Sequence, residues 1–268
     1  MDELSFQPVV ARPSVETVNA HHWPSRRQAH RRTKRQLGVG ELTLLIRYRR
    51  ALSGAVLELG ARGDRLTALL AAQSQSLIGL GRSSPTVELC RSLHPTARFL
   101  ERDMRDLDSF EDGQFEAIVA GHAEIDLLGD AQRRLLLDRL RRIVAPDGVL
   151  IFSSHNLGCE SLVAPPGRHL GLNPLRALPR LARLPRGLSN RARLGRLQER
   201  EHGYAILNTP AEDYSLLHYH ISRDGQERQL GEHGFLLLEC VAPDGAEVGL
   251  GSFAYGSRQL YYAATPGL

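Results

Sequence analysis

The side chains in this 268-residue sequence that could do chemistry gather in a few short stretches. Residues 56–67, VLELGARGDRLT, run from an apolar strand through a glycine turn into a helix, with Glu58 just before the turn and Gly60, Ala61 and Gly63 within it. Glycine lets backbone approach a ligand closely, and a strand–turn–helix of this kind is a common way to hold a nucleotide cofactor. Further apolar runs end in Gly81 and Arg82, in Asp103 and Met104, in Gly121 and His122, and in His155 and Asn156. Histidine titrates near neutrality, so His122 and His155 are candidates to take a proton from a hydroxyl, with Asn156 alongside. Residues 212–221, EDYSLLHYHI, supply Asp213, Tyr214, His218, Tyr219 and His220 as candidate substrate contacts. His218 and His220 share one face of a strand, and with Asp213 they could bind zinc or iron. With no certain third ligand, no metal is expected and a substrate-facing pair is the preferred reading.

Composition bounds what these groups can belong to. At 42% hydrophobic residues the chain can bury a real core. No apolar run reaches the roughly 18 residues needed to cross a bilayer, and the first residues lack a secretory h-region. Cys90, Cys159 and Cys240 are odd in number and far apart, which argues against a disulfide framework and for a reducing cytoplasm. The net charge of +4 hides an asymmetry: residues 101–130 hold ten acids and two arginines, whereas residues 161–200 hold nine arginines and one acid. Lys34 is the only lysine, and it lies in the basic run SRRQAHRRTKRQ. A mechanism needing a catalytic lysine therefore has one choice. No stacking aromatics interleave with the basic runs, so nucleic acid is not supported as a partner. A small anionic molecule is the partner expected, and a homo-oligomer is left open.

The elements that must position these groups follow from periodicity. Residues 1–35 read as a basic, irregular and mobile extension, and 36–268 as one domain. Leu42, Leu45, Ile46 and Leu52 have helical spacing. Short apolar strands then alternate with helices: AVLELG, DRLTALLAA, SLIGLG, SPTVELCRSL, ARFLERDM, FEAIVAG, DAQRRLLLDRLRRIV and VLIFSSHN. Ser84 and Pro85 read as a helix start, and Leu136, Leu137, Leu140, Ile143 and Val144 as a buried face opposite arginines. Such alternation predicts a parallel sheet covered on both faces. Residues 158–203 break the pattern with repeated prolines among leucines and arginines; they predict an inserted lid of short helical pieces rather than one long helix. Strands resume at YAIL and SLLHYHI, then a helix capped by Ser222 and stopped by Gly234, and two final strands, FLLLECV and RQLYYAAT.

In that order, VLELGARGDRLT, LIGLGRSS, ERDMRDL, FEAIVAG, LDRLRRIVAPDGVLIFSSHN and the tail YHISRDGQERQLGEHGFLLLECV…LYYAA resemble the class I S-adenosylmethionine-dependent methyltransferases. The resemblance spans about 42–156 and 215–265. It implies a Rossmann-like α/β fold: a mostly parallel seven-stranded sheet with helices on both faces, here with an Arg/Leu/Pro-rich insertion after strand five. It implies S-adenosyl-L-methionine as cofactor, lying across the carboxyl ends of the strands. Glu58, Gly60, Ala61 and Gly63 would meet its amino-acid part, Asp103 and Met104 its adenine, and Gly81 and Arg82 its ribose, with Gly121 beside the methyl group. Three positions depart from the family pattern. Arg62 and Asp64 stand where the second and third glycines usually stand, and Gly81 stands where an acid usually takes the ribose hydroxyls. Losing such a charged acceptor removes about 1.5–3 kcal/mol.

The expected function is O-methylation of a small molecule, a saccharide or secondary metabolite, with N-methylation open. Two alternatives stand beside it. One is a catalytically inactive methyltransferase-like binding or partner subunit. The other is an NADP-dependent reductase, in which Arg82 and Ser83 would meet a 2′-phosphate; the missing G-x-G-x-x-G spacing and Tyr-x-x-x-Lys pair count against it.

Overall fold

Strand residues of alternating direction build two apolar cores. The computed structural model describes residues 13–20, 36–159 and 174–267. Strands β1 (Ala55–Leu59), β2 (Ser76–Gly81), β3 (Arg98–Glu101), β4 (Phe115–Ala120) and β5 (Val144–Asn156) are parallel, in the order β3-β2-β1-β4-β5. Leu57, Leu59, Ile118, Leu150 and Phe152 face one core, and Val56, Ala117, Val119, Val149 and Ile151 face the other. Burial on both faces is what a parallel sheet requires. β10 (Gln259–Pro266) joins antiparallel to β5, and β9 (Phe235–Val241) antiparallel to β10, which gives the seven expected strands within a sheet that has ten.

Helices cover both faces: α2 (Val39–Arg47), α3 (Arg65–Gln73), α4 (Ser84–Leu93), α5 (Asp130–Ile143) and α7 (Arg223–Glu232). The helix starts follow local capping. Asp64 caps α3 by accepting from the Leu66 and Thr67 amides, and Ser222 caps α7 by accepting from the Gly225 amide. Ser84 lies one residue inside α4, where Ser83 holds the cap position.

Beyond the seven strands, β6 (Glu199–Arg200), β7 (Tyr204–Asn208) and β8 (Leu217–Ile221) form an antiparallel extension. His155 is the hinge of the arrangement. It pairs with Gln259 of β10 and with His220 of β8, so β8 lies on the β4 edge of β5, past the end of β4. The extension has its own small core of Leu194, Ile206, Leu217, Tyr219 and Ile221.

Two expectations are corrected. Residues 174–194 form one helix, α6 (Pro174–Leu194), 21 residues long, which runs through Pro179 and Pro185. Each interior proline removes one hydrogen bond and bends a helix without having to end it. Tertiary anchors hold the second half: Leu194 is buried in the extension's core, and Asn190 Nδ2 donates to the Asp213 carbonyl at 2.9 Å. The N-terminal stretch is not irregular throughout either. α1 (Val15–Ala20) docks on the domain, with Asn19 Nδ2 donating to the carbonyls of Leu127 and Leu217 at 2.8 Å each and Glu16 accepting from the Gly129 amide at 2.7 Å. Lys34 and the rest of the basic run lie outside the described residues.

Candidate active site

The turn after β1 is closed by its own side chains. Gly60 and Gly63 both have positive φ, 73° and 64°. Thr67 Oγ1 accepts from the Gly63 amide at 3.1 Å and donates to Glu58 Oε1 at 2.8 Å. Glu58 is buried beneath α3, and its Oε2 has no hydrogen-bond partner among the described residues. Burial, and then the neighbouring Asp64 carboxylate, push its pKa up to about 8. Asp64 also meets His122 Nε2 at 2.6 Å, tying the exit of β4 to the start of α3. Burial works against the Asp64 carboxylate, but His122 and the Thr67 amide outweigh it and hold its pKa below the ordinary value. His122 and Ala123 sit in the left-handed region, at φ 58° and 52°, and the Ala123 amide donates to Ser153 Oγ at 2.9 Å. His122 is thus a strap between two elements.

Arg62 answers the question its spacing raises. Its guanidinium pairs with Glu124, which follows β4, and both side chains are largely buried. A Cβ added at Gly60 would lie 2.5 Å from Glu124 Cγ, so Glu124 rests directly on the bare glycine. Burial disfavours the Arg62 charge, but Glu124, Asp64 and Glu58 outweigh that and raise its pKa above the ordinary value. The other cofactor candidates sit at the neighbouring strand ends. Asp103 is gripped by Arg105, Nε to Oδ1 at 2.9 Å and Nη2 to Oδ2 at 3.0 Å, and approached by Arg82 Nε at 3.2 Å. These contacts outweigh burial and lower its pKa. Gly81 is tight: a Cβ there would meet Val87 Cγ2 at 3.0 Å. At Gly121 a Cβ would meet Leu66 Cδ2 at 2.5 Å. Ala61 and Met104 are buried in the two cores rather than bordering open space.

A second constellation forms where β5 meets β8. Asp126, in the 3-10 turn Glu124–Leu127, is fully buried. Its Oδ2 accepts from the His155 amide at 2.6 Å and from His155 Nδ1 at 2.7 Å. Its Oδ1 accepts from Ser154 Oγ at 2.7 Å and from Arg133 Nη1 at 2.5 Å. Burial alone would raise the Asp126 pKa; Arg133, His155 and Ser154 reverse this and lower it. Arg133, also fully buried, donates to Gln229 Oε1 at 2.9 Å and Gln226 Oε1 at 2.6 Å and lies 4.6 Å over the Tyr219 ring. An Asp–His pair with Nδ1 turned to the carboxylate leaves Nε2 as the nitrogen that faces chemistry. The rings of His218 and His220 each lie 4.9 Å from that of His155.

The remaining candidates divide. Asn156 is a structural bolt and not a catalytic group. Its Nδ2 donates to the carbonyls of Phe253, Ala254 and Ser257, and its Oδ1 accepts from the Gly158 amide, so no polar atom is left for a substrate. Tyr219 turns away from His218 and His220 into the Arg133 network, with its hydroxyl donating to Asp130 at 2.6 Å. Tyr214 is buried at φ 58° beside Asp213 at φ 57°, with Gly187 of α6 packed close to its ring. Among the described residues no three His, Cys, Asp or Glu side chains group as a metal site needs. Asp126, Arg133 and the Arg62–Glu124 pair were not singled out by sequence reasoning. Asp126 is one acid in an acidic stretch, and Arg133 lies on the helix face that arginine-rich spacing assigns to solvent.

Residues 56–148 match the family model described as a methyltransferase domain. No curated protein matches the sequence. Among solved structures, the chain is similar to the CcbJ methyltransferase from Streptomyces caelestis at TM-score 0.56 and 14% identity, covering 92% of this chain and 100% of that one. It is similar to a putative S-adenosylmethionine-dependent methyltransferase from Listeria monocytogenes at TM-score 0.54 and 13% identity, covering 85% and 97%. It is also similar to the 1,6-didemethyltoxoflavin-N1-methyltransferase of Burkholderia thailandensis at TM-score 0.50 and 12% identity, covering 80% and 71%. The fold is that of the class I methyltransferases. The family-model match covers β1 to the start of β5, about a third of the chain.

Proposed function

We propose that the protein transfers a methyl group from S-adenosylmethionine to an oxygen of a small molecule, with His155 as the general base. The observation that carries this is the Asp126–His155 pair at the carboxyl end of β5, with the His155 side chain 24% exposed. The residues at the ends of β1 to β4 suit the cofactor. Its ammonium and sulfonium are cations, and Glu58, Asp64 and Glu124 gather there, with Glu58 Oε2 buried and lacking a partner among the described residues. Gly60, Gly63 and Gly81 keep the backbone bare, and Asp103 would accept from the adenine amino group. When bound, the cofactor supplies an electrophilic methyl group, so alignment is the protein's main task. His155 Nε2 would take the hydroxyl proton of the acceptor. Asp126 fixes the ring by holding Nδ1, and Arg133 fixes Asp126. His218 and His220 flank the acceptor. Within the expected insertion, α6 would serve as the lid, and the cytoplasm is the compartment that three free cysteines favour.

One observation favours a second reading, a methyltransferase-like subunit without catalysis. The Arg62–Glu124 pair lies on Gly60, where the cofactor would approach, and must open for binding. One measurement separates the two. At a hundredfold excess over Kd, S-adenosylhomocysteine stabilises by about 2.7 kcal/mol, a rise of roughly 5–10 °C in Tm for a chain of this size. No rise at millimolar ligand favours the subunit. If the ligand binds, His155→Ala should lower turnover by about two to four orders of magnitude. Unchanged turnover would remove His155 from the mechanism.

A further inference from the structure

Two imidazole nitrogens where β5 meets β8 carry lone pairs that no hydrogen bond among the described residues engages. His155 and His220 are register partners on parallel strands, so their rings stand side by side with planes tilted by 40°. His155 gives its Nδ1 proton to Asp126, which leaves Nε2 as acceptor. His220 gives its Nδ1 proton to the His218 carbonyl at 2.9 Å. Its Nε2 is therefore an acceptor too, and it is buried without a hydrogen-bond partner among the described residues. His155 is the outer ring of the two; His220 is 1% exposed. A ligand that reaches His155 has His220 beside it, on the neighbouring strand β8.

We propose that this pair selects an acceptor with hydroxyls on two adjacent carbons, a vicinal diol or a catechol. His155 Nε2 takes the proton of the hydroxyl that is methylated, and His220 Nε2 accepts a hydrogen bond from its neighbour. The proposal rests on the methyltransferase reading above. The step balances without a further reactant. The acceptor oxygen bonds to the methyl carbon, the carbon–sulfur bond breaks with its electron pair left on sulfur, and the hydroxyl proton passes to His155. Neutral donors fit better than an ammonium group. Burial, and then the neighbouring His155, hold the His220 pKa down to about 4, and the same surroundings penalise a cation placed against it. Asp126, the carboxylate at the site, already accepts from Arg133, Ser154 and His155.

The test uses the full chain with S-adenosylmethionine carrying a labelled methyl group. Its substrates are matched sets: catechol, phenol and aniline; cis-cyclohexanediol, cyclohexanol and cyclohexylamine; a methyl glucoside and its deoxy analogue. The diol of a set should exceed the mono-ol in kcat/KM by at least about tenfold, because a site built to bind a hydroxyl rejects the analogue lacking it. His220→Leu should bring that ratio toward one, and His220→Gln, which keeps an acceptor, should retain part of it. A mono-ol or amine turned over as well as the diol, a ratio unchanged in His220→Leu, or no diol methylated overturns the proposal. One equivalent of zinc or iron in the purified protein also overturns it, since the two nitrogens would then be ligands. The melting shift with S-adenosylhomocysteine tells the failures apart. If it persists, only the acceptor class is wrong; if it is absent, the methyltransferase reading fails.

Discussion

Replacing Arg133 with methionine should cost this domain more than any surface change. The guanidinium is fully buried and bonds to Asp126, Gln226 and Gln229. Methionine fills much of the volume but supplies no donor. It leaves Asp126 charged in the core with only Ser154 and His155 to satisfy it. Removing one partner of a buried ion pair costs about 3–5 kcal/mol. Total stability of a domain is about 5–15 kcal/mol, so the variant should be marginal yet folded. At about 2–4 °C per kcal/mol, Tm should fall by roughly 6–20 °C in a calorimetric scan. Asp126 has a lowered folded pKa, so its stabilisation is present above its ordinary value of 3.8 and lost as pH falls below it. Arg133→Met should flatten that acid limb. Arg133→Met/Asp126→Asn, which removes both charges, should lose less than the sum of the single changes. A Tm drop below about 3 °C, or strict additivity in the double variant, would refute the view that these residues act as one network.

The other predictions concern the cofactor side and the β5 end. Glu58 has its folded pKa raised from 4.5 to about 8, so its contribution is fully present below 4.5 and is lost as pH climbs through 8. Glu58→Gln should therefore remove a fall in stability of a few kcal/mol between those pH values, seen in urea titrations at each pH. Arg62→Ala removes a charge that must leave Glu124 before a ligand can approach Gly60, and should tighten S-adenosylhomocysteine binding about fivefold by calorimetry. Weaker binding would mean that Arg62 holds the ligand. Asn156→Ala leaves the carbonyls of Phe253, Ala254 and Ser257 without a donor and should cost about 1–3 kcal/mol. It should also raise protease cleavage within 249–258.

Most of the sheet was legible because its strands are short, apolar and buried on both faces, with helix caps such as Asp64 and Ser222 between them. The turn residues Gly60 and Gly63 and the β5 terminus at His155 could be located on the same grounds. What escaped depends on contacts distant in sequence. The partner of His155 is an acid 29 residues away, held there by the turn 124–127. Arg133 has the periodicity of a solvated position, yet α7 and β8 bury it. Proline counting failed for α6 because tertiary anchors decide whether a bent helix survives. The direction of Tyr219 follows from strand alternation once His218 and His220 are set on one face; treating all three as substrate contacts ignored that parity.

The docking of α1 has a practical consequence for anyone shortening this protein. The sequence match begins at residue 56, which invites removal of everything before the first sheet strand. Yet Asn19 clips Leu127 to Leu217, and Glu16 holds the amide at the head of α5. Leu127 and Gly129 lie at the C-terminal end of the turn that carries Asp126. A trimmed version keeping only the matched region would discard that brace together with the His218 and His220 strand. Ending at residue 148, it would also lack His155, on which the proposed reaction turns.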